Sequence, residues 1–290
     1  MSQQRVLDGQ IALVTGAGRG IGQAIAVALA GAGADLILVA RTAGGLDETA
    51  AQVHALGREA LPFVADVSRR EDVQRAVAAG LERFGQIDIL VNNAGVQPPI
   101  GPLVQNDPSE WTQAVAVNLF GPFHCIQAVL PGMMERGSGK IINLSGGGAT
   151  GPRPSFSAYA ASKAAVVRLT ETVAEEVRPF NIQVNAIAPG AVNTRMLDEV
   201  LAAGAAAGGE LASAQQRQVK GGTPAEVAAG LVVFLASAAS DGLSGKLISA
   251  PHDDWRTWDI QRIAELDNSP WYTLRRVDPH TLRPLMEHVE

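Results

Sequence analysis

The sequence predicts an α/β domain with a doubly wound parallel sheet of about seven strands and helices on both faces. Short apolar runs rich in β-branched residues recur along the 290 residues, and segments of helical periodicity separate them. This alternation is typical of βαβ units whose sheet is buried on both sides. Hydrophobic residues make up 47% of the chain and charged residues 18%, which is enough apolar surface for a large core.

Each predicted strand follows from one apolar run. The runs cover residues 10–15, 34–40, 61–65, 87–91, 140–144, 182–187 and 246–249. Helical periodicity predicts helices over residues 21–31, 46–56, 71–84 and 224–237.

Residues 189–222 interrupt this alternation of predicted strands and helices. They contain an Ala/Gly-rich stretch, residues 202–209, between a proline turn and the next helix. Such a stretch has little commitment to one structure, which suits a mobile lid. A surface loop with no role is the alternative.

The C-terminal extension, residues 251–290, holds three of the four tryptophans and the second tyrosine. Disordered tails are poor in aromatic residues, so we expect this extension to pack on the core or on a neighbouring subunit. Its arginines are Arg256, Arg262, Arg275, Arg276 and Arg283. They could close over a polar or anionic substrate, or they could belong to an oligomer contact.

Charge and cysteine content narrow the range of partners. A net charge of -6 and an acidic pI argue against nucleic-acid and anionic-membrane partners. The single cysteine, Cys125, reads as a small core residue, and a chain without an internal disulfide suits a reducing compartment. Residues 1–10 carry no apolar signal core, so we expect a soluble cytoplasmic protein. The five histidines lack paired ligand spacing, and we predict no metal site.

Residues 15–22, Thr-Gly-Ala-Gly-Arg-Gly-Ile-Gly, join the first predicted strand to the first helix. Glycines let a backbone turn tightly and approach a pyrophosphate, while a helix N-terminus offers free N–H groups and the positive end of its dipole. The strand–loop–helix context therefore predicts a nucleotide site.

Tyr159 and Lys163 form a second motif. The chain has two tyrosines and four lysines, and chance would place a pair at this spacing roughly 0.03 times. Residues four apart share one helix face, so the ammonium can approach the phenol and lower its pKa. A tyrosine that exchanges a proton near neutral pH needs such a neighbour. A packed tyrosine beside a solvated lysine is the plainer interpretation.

The glycine-rich spacing, Asn92-Asn93-Ala94-Gly95 and Tyr159-x-x-x-Lys163 together make the chain resemble the short-chain dehydrogenase/reductase family over residues 8–250. The resemblance implies a Rossmann-like fold, with residues 1–250 forming one dinucleotide-binding and catalytic domain. It also implies an NAD(P)-dependent oxidoreductase that interconverts a small-molecule carbonyl and a secondary alcohol.

By the same resemblance a set of residues surrounds the cofactor. It comprises Gly16, Gly18, Arg19, Gly20, Ile21, Gly22, Arg41, Asp66, Val67, Asn93, Ala94, Gly95, Tyr159, Lys163, Pro189, Gly190, Val192 and Thr194. Asp66 and Val67 match the pair at the adenine, and Thr194 matches the residue near the nicotinamide carboxamide.

Two arginines indicate which cofactor is preferred. An acidic residue at the end of the second strand would bind ribose hydroxyls and repel a 2′-phosphate, but Ala40 occupies that place. Arg41 follows it, and Arg19 lies inside the glycine-rich loop. Guanidinium pairs well with phosphate, so NADP(H) is favoured over NAD(H). A solvated surface charge is the alternative for each arginine.

The resemblance also assigns catalytic roles. Tyr159 would supply the proton, Lys163 would lower its pKa and hold the nicotinamide ribose, and Asn118 would anchor a water. A helix-interior Asn118 bonded to a nearby carbonyl is the alternative. The family serine belongs thirteen residues before the tyrosine, where this chain has Gly146. We expect the flexible glycines after Ser145 to bring its hydroxyl into place.

Three interpretations stay open at this point. The leading one is an NADP-linked, ketoreductase-like enzyme, and the others are an NAD-linked alcohol or sugar dehydrogenase and a nucleotide-binding regulatory protein with impaired catalysis. The resemblance implies a homo-oligomer, a tetramer or a dimer.

Overall fold

A computed structural model describes residues 5–277 and contains a seven-stranded parallel sheet. Its strands are β1 Ile11–Thr15, β2 Asp35–Ala40, β3 Ala60–Val64, β4 Ile89–Asn92, β5 Gly139–Leu144, β6 Ile182–Ala188 and β7 Leu247–Ser249. Their order across the sheet is β3-β2-β1-β4-β5-β6-β7, and every neighbouring pair is parallel. The predicted fold class is confirmed, and each apolar run forms a strand.

Ten α-helices connect and cover the strands within the described residues. They are α1 Gly20–Gly31, α2 Ala43–Ala55, α3 Arg70–Phe84, α4 Pro108–Val115, α5 Gly121–Arg136, α6 Ser157–Val177, α7 Arg195–Ala203, α8 Glu210–Lys220, α9 Ala225–Ala236 and α10 Ile260–Asp267.

The sheet separates two apolar cores because side chains along a strand alternate between its faces. In β1, Ala12 and Val14 pack into the core that contains buried residues of α1, α2 and α9. Leu13, between them, enters the opposite core with buried residues of α3, α5 and α6. Burial on both faces explains why the strands read as continuous apolar runs.

A π-helical turn, Ala116–Phe120, joins α4 to α5. The combined helix Pro108–Arg136 has the length and apolar composition of a membrane span, and 44% of its most apolar 18-residue window is buried inside the protein. Its buried side chains belong to the core beneath the sheet. Packing in the core of this fold therefore accounts for the apolar composition of the helix.

The Ala/Gly-rich stretch is more ordered than the sequence predicts. Residues 195–203 and 210–220 form α7 and α8, and a 3-10 turn, Gly204–Ala207, lies between them. Alanine is the strongest helix former, so the alanines support helix, and the chain reverses at Gly204 and Gly208, whose φ angles are +54° and +58°. The stretch therefore has defined secondary structure, and a mobile lid stays a prediction. We call residues 195–220 the lid segment.

The described part of the extension, residues 251–277, packs against the rest of its own chain. Trp255 is buried, its ring centre lies 5.7 Å from that of Phe234, and its Nε1 donates to Ala250 O at 3.0 Å. Trp258, Trp271 and Tyr272 border the core on the α1 and α9 side. Arg283 lies outside the described residues.

Candidate active site

The predicted site residues gather at the carboxyl edge of the sheet. The order of the strands changes direction between β1 and β4, and ligands of doubly wound sheets bind at such a point. The glycine-rich loop follows β1, and Asn93 follows β4. The segment after β5 leads to Tyr159, in the first turn of α6.

The glycine-rich loop is shaped for an anionic group. The first turn of α1 has no side-chain cap and no acidic residue, so its N–H groups are left for a ligand. A Cβ on Gly22 would lie under 3.0 Å from Gly16 O and Asn93 Nδ2, which only glycine avoids. These residues fit a dinucleotide pyrophosphate.

Asn93 fixes the loop to the adjacent strand. Its Nδ2 donates to Thr15 O at 2.9 Å and to Gly16 O at 3.2 Å. The backbone N–H groups of Asn93 and Ala94 donate in turn to Thr15 Oγ1, each at 3.0 Å. The ends of β1 and β4 are therefore held in one rigid arrangement.

Arg19 and Arg41 are exposed beside this loop, where the sequence placed them. Sequence reasoning missed a carboxylate near them, Glu199 of α7. Burial raises the pKa of Glu199, and the charges of Arg195, Arg19 and Arg41 act in the opposite direction. An acidic lid residue thus lies within electrostatic reach of the two cations.

The predicted adenine and nicotinamide turns form compact loops. Asp66 Oδ1 accepts from Ser68 N at 2.9 Å and from Ser68 Oγ at 2.7 Å, which shapes the turn after β3. After β6, Thr223 N donates to Ala191 O at 3.0 Å. Thr194 Oγ1 accepts from Met196 N and caps α7. A Cβ on Gly20 would lie 3.3 Å from Thr194 Cγ2, so the lid segment starts directly over the glycine-rich loop.

Tyr159 and Lys163 lie together and are buried, with 6% and 4% of their surfaces exposed. Lys163 Nζ lies 5.7 Å from the centre of the Tyr159 ring and donates to Leu144 O at 2.8 Å. Burial disfavours the ammonium and lowers the pKa of Lys163 to about 8.

The pKa of Tyr159 is shifted in the direction opposite to the expected one. Burial is the largest cause and raises this pKa, with Arg153 lowering it and Glu210 raising it. The lid segment supplies part of that burial, since Leu197, Val200, Ala207 and Ala214 cluster with the tyrosine. The phenol is therefore less acidic in this structure than the Tyr–Lys spacing predicts.

Asn118 lies in the π-helical turn and clamps two segments. Its Oδ1 accepts from Val96 N at 2.8 Å, and its Nδ2 donates to Val96 O at 2.9 Å and to Ser162 Oγ at 3.0 Å. These bonds tie the loop after β4 to α6. Asn118 thus has the carbonyl partner of the plainer interpretation, and it contacts α6 at Ser162, next to Lys163 in the sequence.

Ser145 does not take the place expected of it. It is buried, and its Oγ donates to Lys163 O at 3.3 Å, on the backbone of α6. Gly146 faces the tyrosine instead, because a Cβ on residue 146 would lie under 3.0 Å from Tyr159 Oη. The glycines do not shift the register by one residue, since Ser145 N still continues the sheet by donating to Ile187 O at 2.8 Å.

The turn after Ser145 offers other donors. The N–H groups of Gly146, Gly147 and Gly148 have no acceptor among residues 5–277. Covalent geometry places the first two nitrogens about 6 Å or less from Tyr159 Oη. These N–H groups are therefore available to a ligand that reaches this turn.

A polar cluster that the sequence did not predict borders the tyrosine. Arg153 forms two hydrogen bonds of 3.1 Å with Glu210 of α8. Its guanidinium carbon lies 5.2 Å from the centre of the Tyr159 ring. Arg153 stands six residues before the tyrosine, and this closeness in sequence is a weak indication that it lies near the site. Nothing in the sequence links it to Glu210.

The sequence matches the family described as short chain dehydrogenase over residues 10–204. Short-chain reductase protein NovJ of Streptomyces niveus is 40% identical over 244 residues, which are 82% of this chain and 91% of that protein. The chain belongs to the short-chain dehydrogenase/reductase family. It is an oxidoreductase acting on CH–OH or carbonyl groups, and the family binds a nicotinamide cofactor.

Further relatives of this family member agree in sequence and in structure. The 3-oxoacyl-[acyl-carrier-protein] reductase FabG of Thermotoga maritima is 34% identical over 83% of this chain and 96% of that protein. The crystal structure of levodione reductase covers 87% of this chain and all of its own, with a TM-score of 0.79 and 33% identity. NAD+-bound xylitol dehydrogenase has a TM-score of 0.78 and 31% identity, covering 84% of this chain and 98% of its own.

Proposed function

We propose that this family member is an NADP(H)-linked reductase of a small carbonyl compound, with Tyr159 as the proton donor. The observation that carries the proposal is the position of Tyr159 and Lys163 beside the turn after β5, at the edge of the sheet that also presents the glycine-rich loop. A phenol, an ammonium and a phosphate-binding helix terminus at one edge are the groups that such a reduction requires.

A nicotinamide cofactor, held by the glycine-rich loop, would supply the hydride. In the chain itself, Tyr159 Oη donates its proton to the carbonyl oxygen of the substrate as negative charge develops there. Lys163, which already reaches Leu144 O, lies on the same helix face and stabilises the phenolate left behind. Asn118 holds the loop after β4 against α6, so the tyrosine and lysine keep their mutual position.

We infer that backbone donors replace the family serine. Ser145 is engaged with the backbone of α6, whereas the N–H groups of Gly146 and Gly147, near Tyr159 Oη, have no acceptor within residues 5–277. Backbone N–H groups aimed at a developing oxyanion stabilise it, and the loss of one such donor costs roughly 10²–10³ in kcat in other enzymes. In this proposal they donate hydrogen bonds to the oxygen of the substrate carbonyl beside the phenol.

The cofactor preference rests on Arg19, Arg41 and Ala40. Two exposed guanidinium groups stand beside the loop, and no acidic side chain ends β2 to repel a 2′-phosphate. We expect NADPH to bind at least tenfold more tightly than NADH, with the difference lost in Arg41→Ala. Fluorescence titration of both cofactors tests this, and tighter binding of NADH to the wild type would contradict it.

The reductase proposal is tested by NADPH oxidation with a panel of ketones and aldehydes, comparing the wild type with Tyr159→Phe. We expect turnover by the wild type, loss of at least 10³-fold in the variant, and equal NADPH affinity in both. A wild type that binds NADPH but reduces nothing in the panel would favour the second candidate, a nucleotide-binding regulatory protein. The glycine at position 146 is the observation that favours that candidate.

Location and assembly complete the proposal. The single cysteine is buried and suits a reducing cytoplasm. Phe120 and Phe123 are 49% and 42% exposed on the outer side of α5 and its π-helical turn, which supports assembly with a second copy. Light scattering on the purified protein measures the oligomeric state, and a monomer at micromolar concentration would contradict the assembly.

A further inference from the structure

Arg153 is a cation held against the candidate active site. Its side chain is 13% exposed. The guanidinium carbon lies 4.0 Å from the centre of the Phe156 ring and 5.2 Å from that of Tyr159. A charge in so little water requires an anion or several acceptors nearby.

Two side chains supply the acceptors. Glu210 Oε1 accepts from Arg153 Nε and Glu210 Oε2 accepts from Nη2, both at 3.1 Å. With its amide oriented to satisfy both of its groups, Gln97 accepts from Arg153 Nη1 at 3.0 Å and from Nη2 at 3.1 Å. Gln97 Nε2 then donates to Met196 O at 3.0 Å.

The groups that hold Arg153 belong to two parts of the molecule. Gln97 follows β4, and Phe156 immediately precedes α6, so both lie outside the lid segment. Glu210 is the first residue of α8, in the lid segment. A displacement of α8 would therefore remove the anion and leave the cation, its aromatic support and its neutral acceptor in place.

A substrate must open this arrangement. Tyr159 is 6% exposed, and lid residues Leu197 and Val200 pack in the same cluster. A substrate that reaches the phenol therefore displaces part of the lid segment. If α8 moves, Arg153 keeps Phe156 and Gln97 but loses Glu210. A desolvated guanidinium without its counter-ion is unfavourable, so the open site favours a ligand that brings a carboxylate.

We propose that Arg153 binds a carboxylate of the substrate and that Glu210 occupies this position when the pocket is empty. The inference rests on the proposed function and names its substrate class, a small oxo acid or the corresponding hydroxy acid. Arg153 is then a specificity residue, since its charge distinguishes an acid from its neutral ester. Its effect on the pKa of Tyr159 is common to both substrates. Planar, two-bond recognition explains why arginine rather than lysine stands here.

The test uses acid and ester pairs: 4-oxopentanoate with its methyl ester, and benzoylformate with its methyl ester. We expect the wild type to prefer each acid at least tenfold in kcat/KM. Arg153→Gln should lose that preference, with a fall in kcat/KM for each acid at least tenfold larger than the fall for its ester. Glu210→Gln should increase acid affinity several-fold, because the internal competitor loses its charge. Arg217→Gln, which removes a cation from the same helix, serves as the control and should keep the wild-type ratio.

Binding is measured separately from turnover, as the melting temperature of the NADPH complex with each acid and each ester. A ligand at ten times its Kd should raise this temperature by about 2–4 °C. We expect the acids to raise the melting temperature of the wild type, and to raise that of Glu210→Gln by more. Arg153→Gln should show none.

Two results would overturn the inference: equal responses to acid and ester in the wild type, or an equal loss for both probes in Arg153→Gln. The second result would mean that the ion pair only fastens the lid segment. Arg153-dependent binding of acids without any turnover would support the carboxylate site and contradict the proposed reductase, so the two failures are distinguishable.

Discussion

Gly146 lies against the hydroxyl of Tyr159, so close that a Cβ on residue 146 would lie under 3.0 Å from Tyr159 Oη. In the family pattern a serine side chain starts from this position. The chain instead has a glycine and places the preceding serine against α6. On the side of residue 146 the phenol is therefore bordered by backbone rather than by a serine side chain.

Substitution of Gly146 tests how firmly the phenol is placed. The methyl group of Gly146→Ala would displace Tyr159 Oη, and misplacement of a catalytic group by about 1 Å can cost 10²-fold. We expect kcat to fall roughly 10- to 100-fold in Gly146→Ala. Gly146→Ser carries the same Cβ but adds a donor, so it should recover part of the loss. An unchanged kcat in Gly146→Ala would show that the phenol is free to move.

The buried ammonium of Lys163 makes stability depend on pH. Its pKa is about 8 in the folded chain, below the ordinary value of 10.5, so the unfolded chain binds more protons between these values. The contribution of Lys163 to the free energy of unfolding therefore rises with pH from about 8 to 10.5, by up to ~1.4 kcal/mol per pH unit.

Urea unfolding of the wild type and Lys163→Met across this range measures the effect. At pH 7 we expect the variant to be more stable, because it buries no charge, and the gap should narrow as the pH rises. Lys140 and Lys246 also have lowered pKa values, but they remain in both proteins and cancel in the difference. A gap independent of pH would contradict the burial of a charged Lys163.

Cys125 should be inert in the folded protein. It is 2% exposed, and burial raises its pKa to about 12, so neither access nor thiolate is available. We expect no reaction with a disulfide reagent at pH 8 over an hour and one equivalent of reaction in denaturant. Fast labelling of native protein would show that α5 opens readily.

Trp255 should anchor the C-terminal extension. Its ring is buried against Phe234, and its N–H is satisfied by Ala250 O. Trp255→Ala should cost about 3–5 kcal/mol in the free energy of unfolding, as for other large-to-small changes in a core. Arg256→Ala, which removes an exposed guanidinium stacked on the same ring, is the control and should cost less than about 1 kcal/mol. Equal effects of the two variants would place Trp255 at the surface.

The sheet was predictable because burial on both faces leaves a signal in the sequence itself. Each strand is an apolar run, and the glycine-rich loop and Tyr159 stand at fixed positions relative to β1 and β5. The fold and the position of the site could therefore be predicted from local sequence motifs.

The remaining features depend on contacts between distant segments. Arg153 and Glu210 are 57 residues apart and meet only because α8 packs over α6's first turn. The direction of the Ser145 side chain is set by its hydrogen bond to α6 and by the continued pairing of β5 with β6. Neither contact can be predicted from the run of glycines that follows Ser145. The Ala/Gly composition of the lid segment is compatible with both helix and loop, and packing on Tyr159 favours helix.

The central claim is that backbone donors after β5 act together with Tyr159 in carbonyl reduction. A Cβ on Gly147 would meet nothing within 4 Å, so Gly147→Ala keeps the N–H at little steric cost, whereas Gly147→Pro deletes it. Single-turnover hydride transfer from NADPH should fall roughly 10²-fold in the proline variant and less than threefold in the alanine variant, with equal NADPH affinity and melting temperature. Equal rates in the two variants would contradict the account.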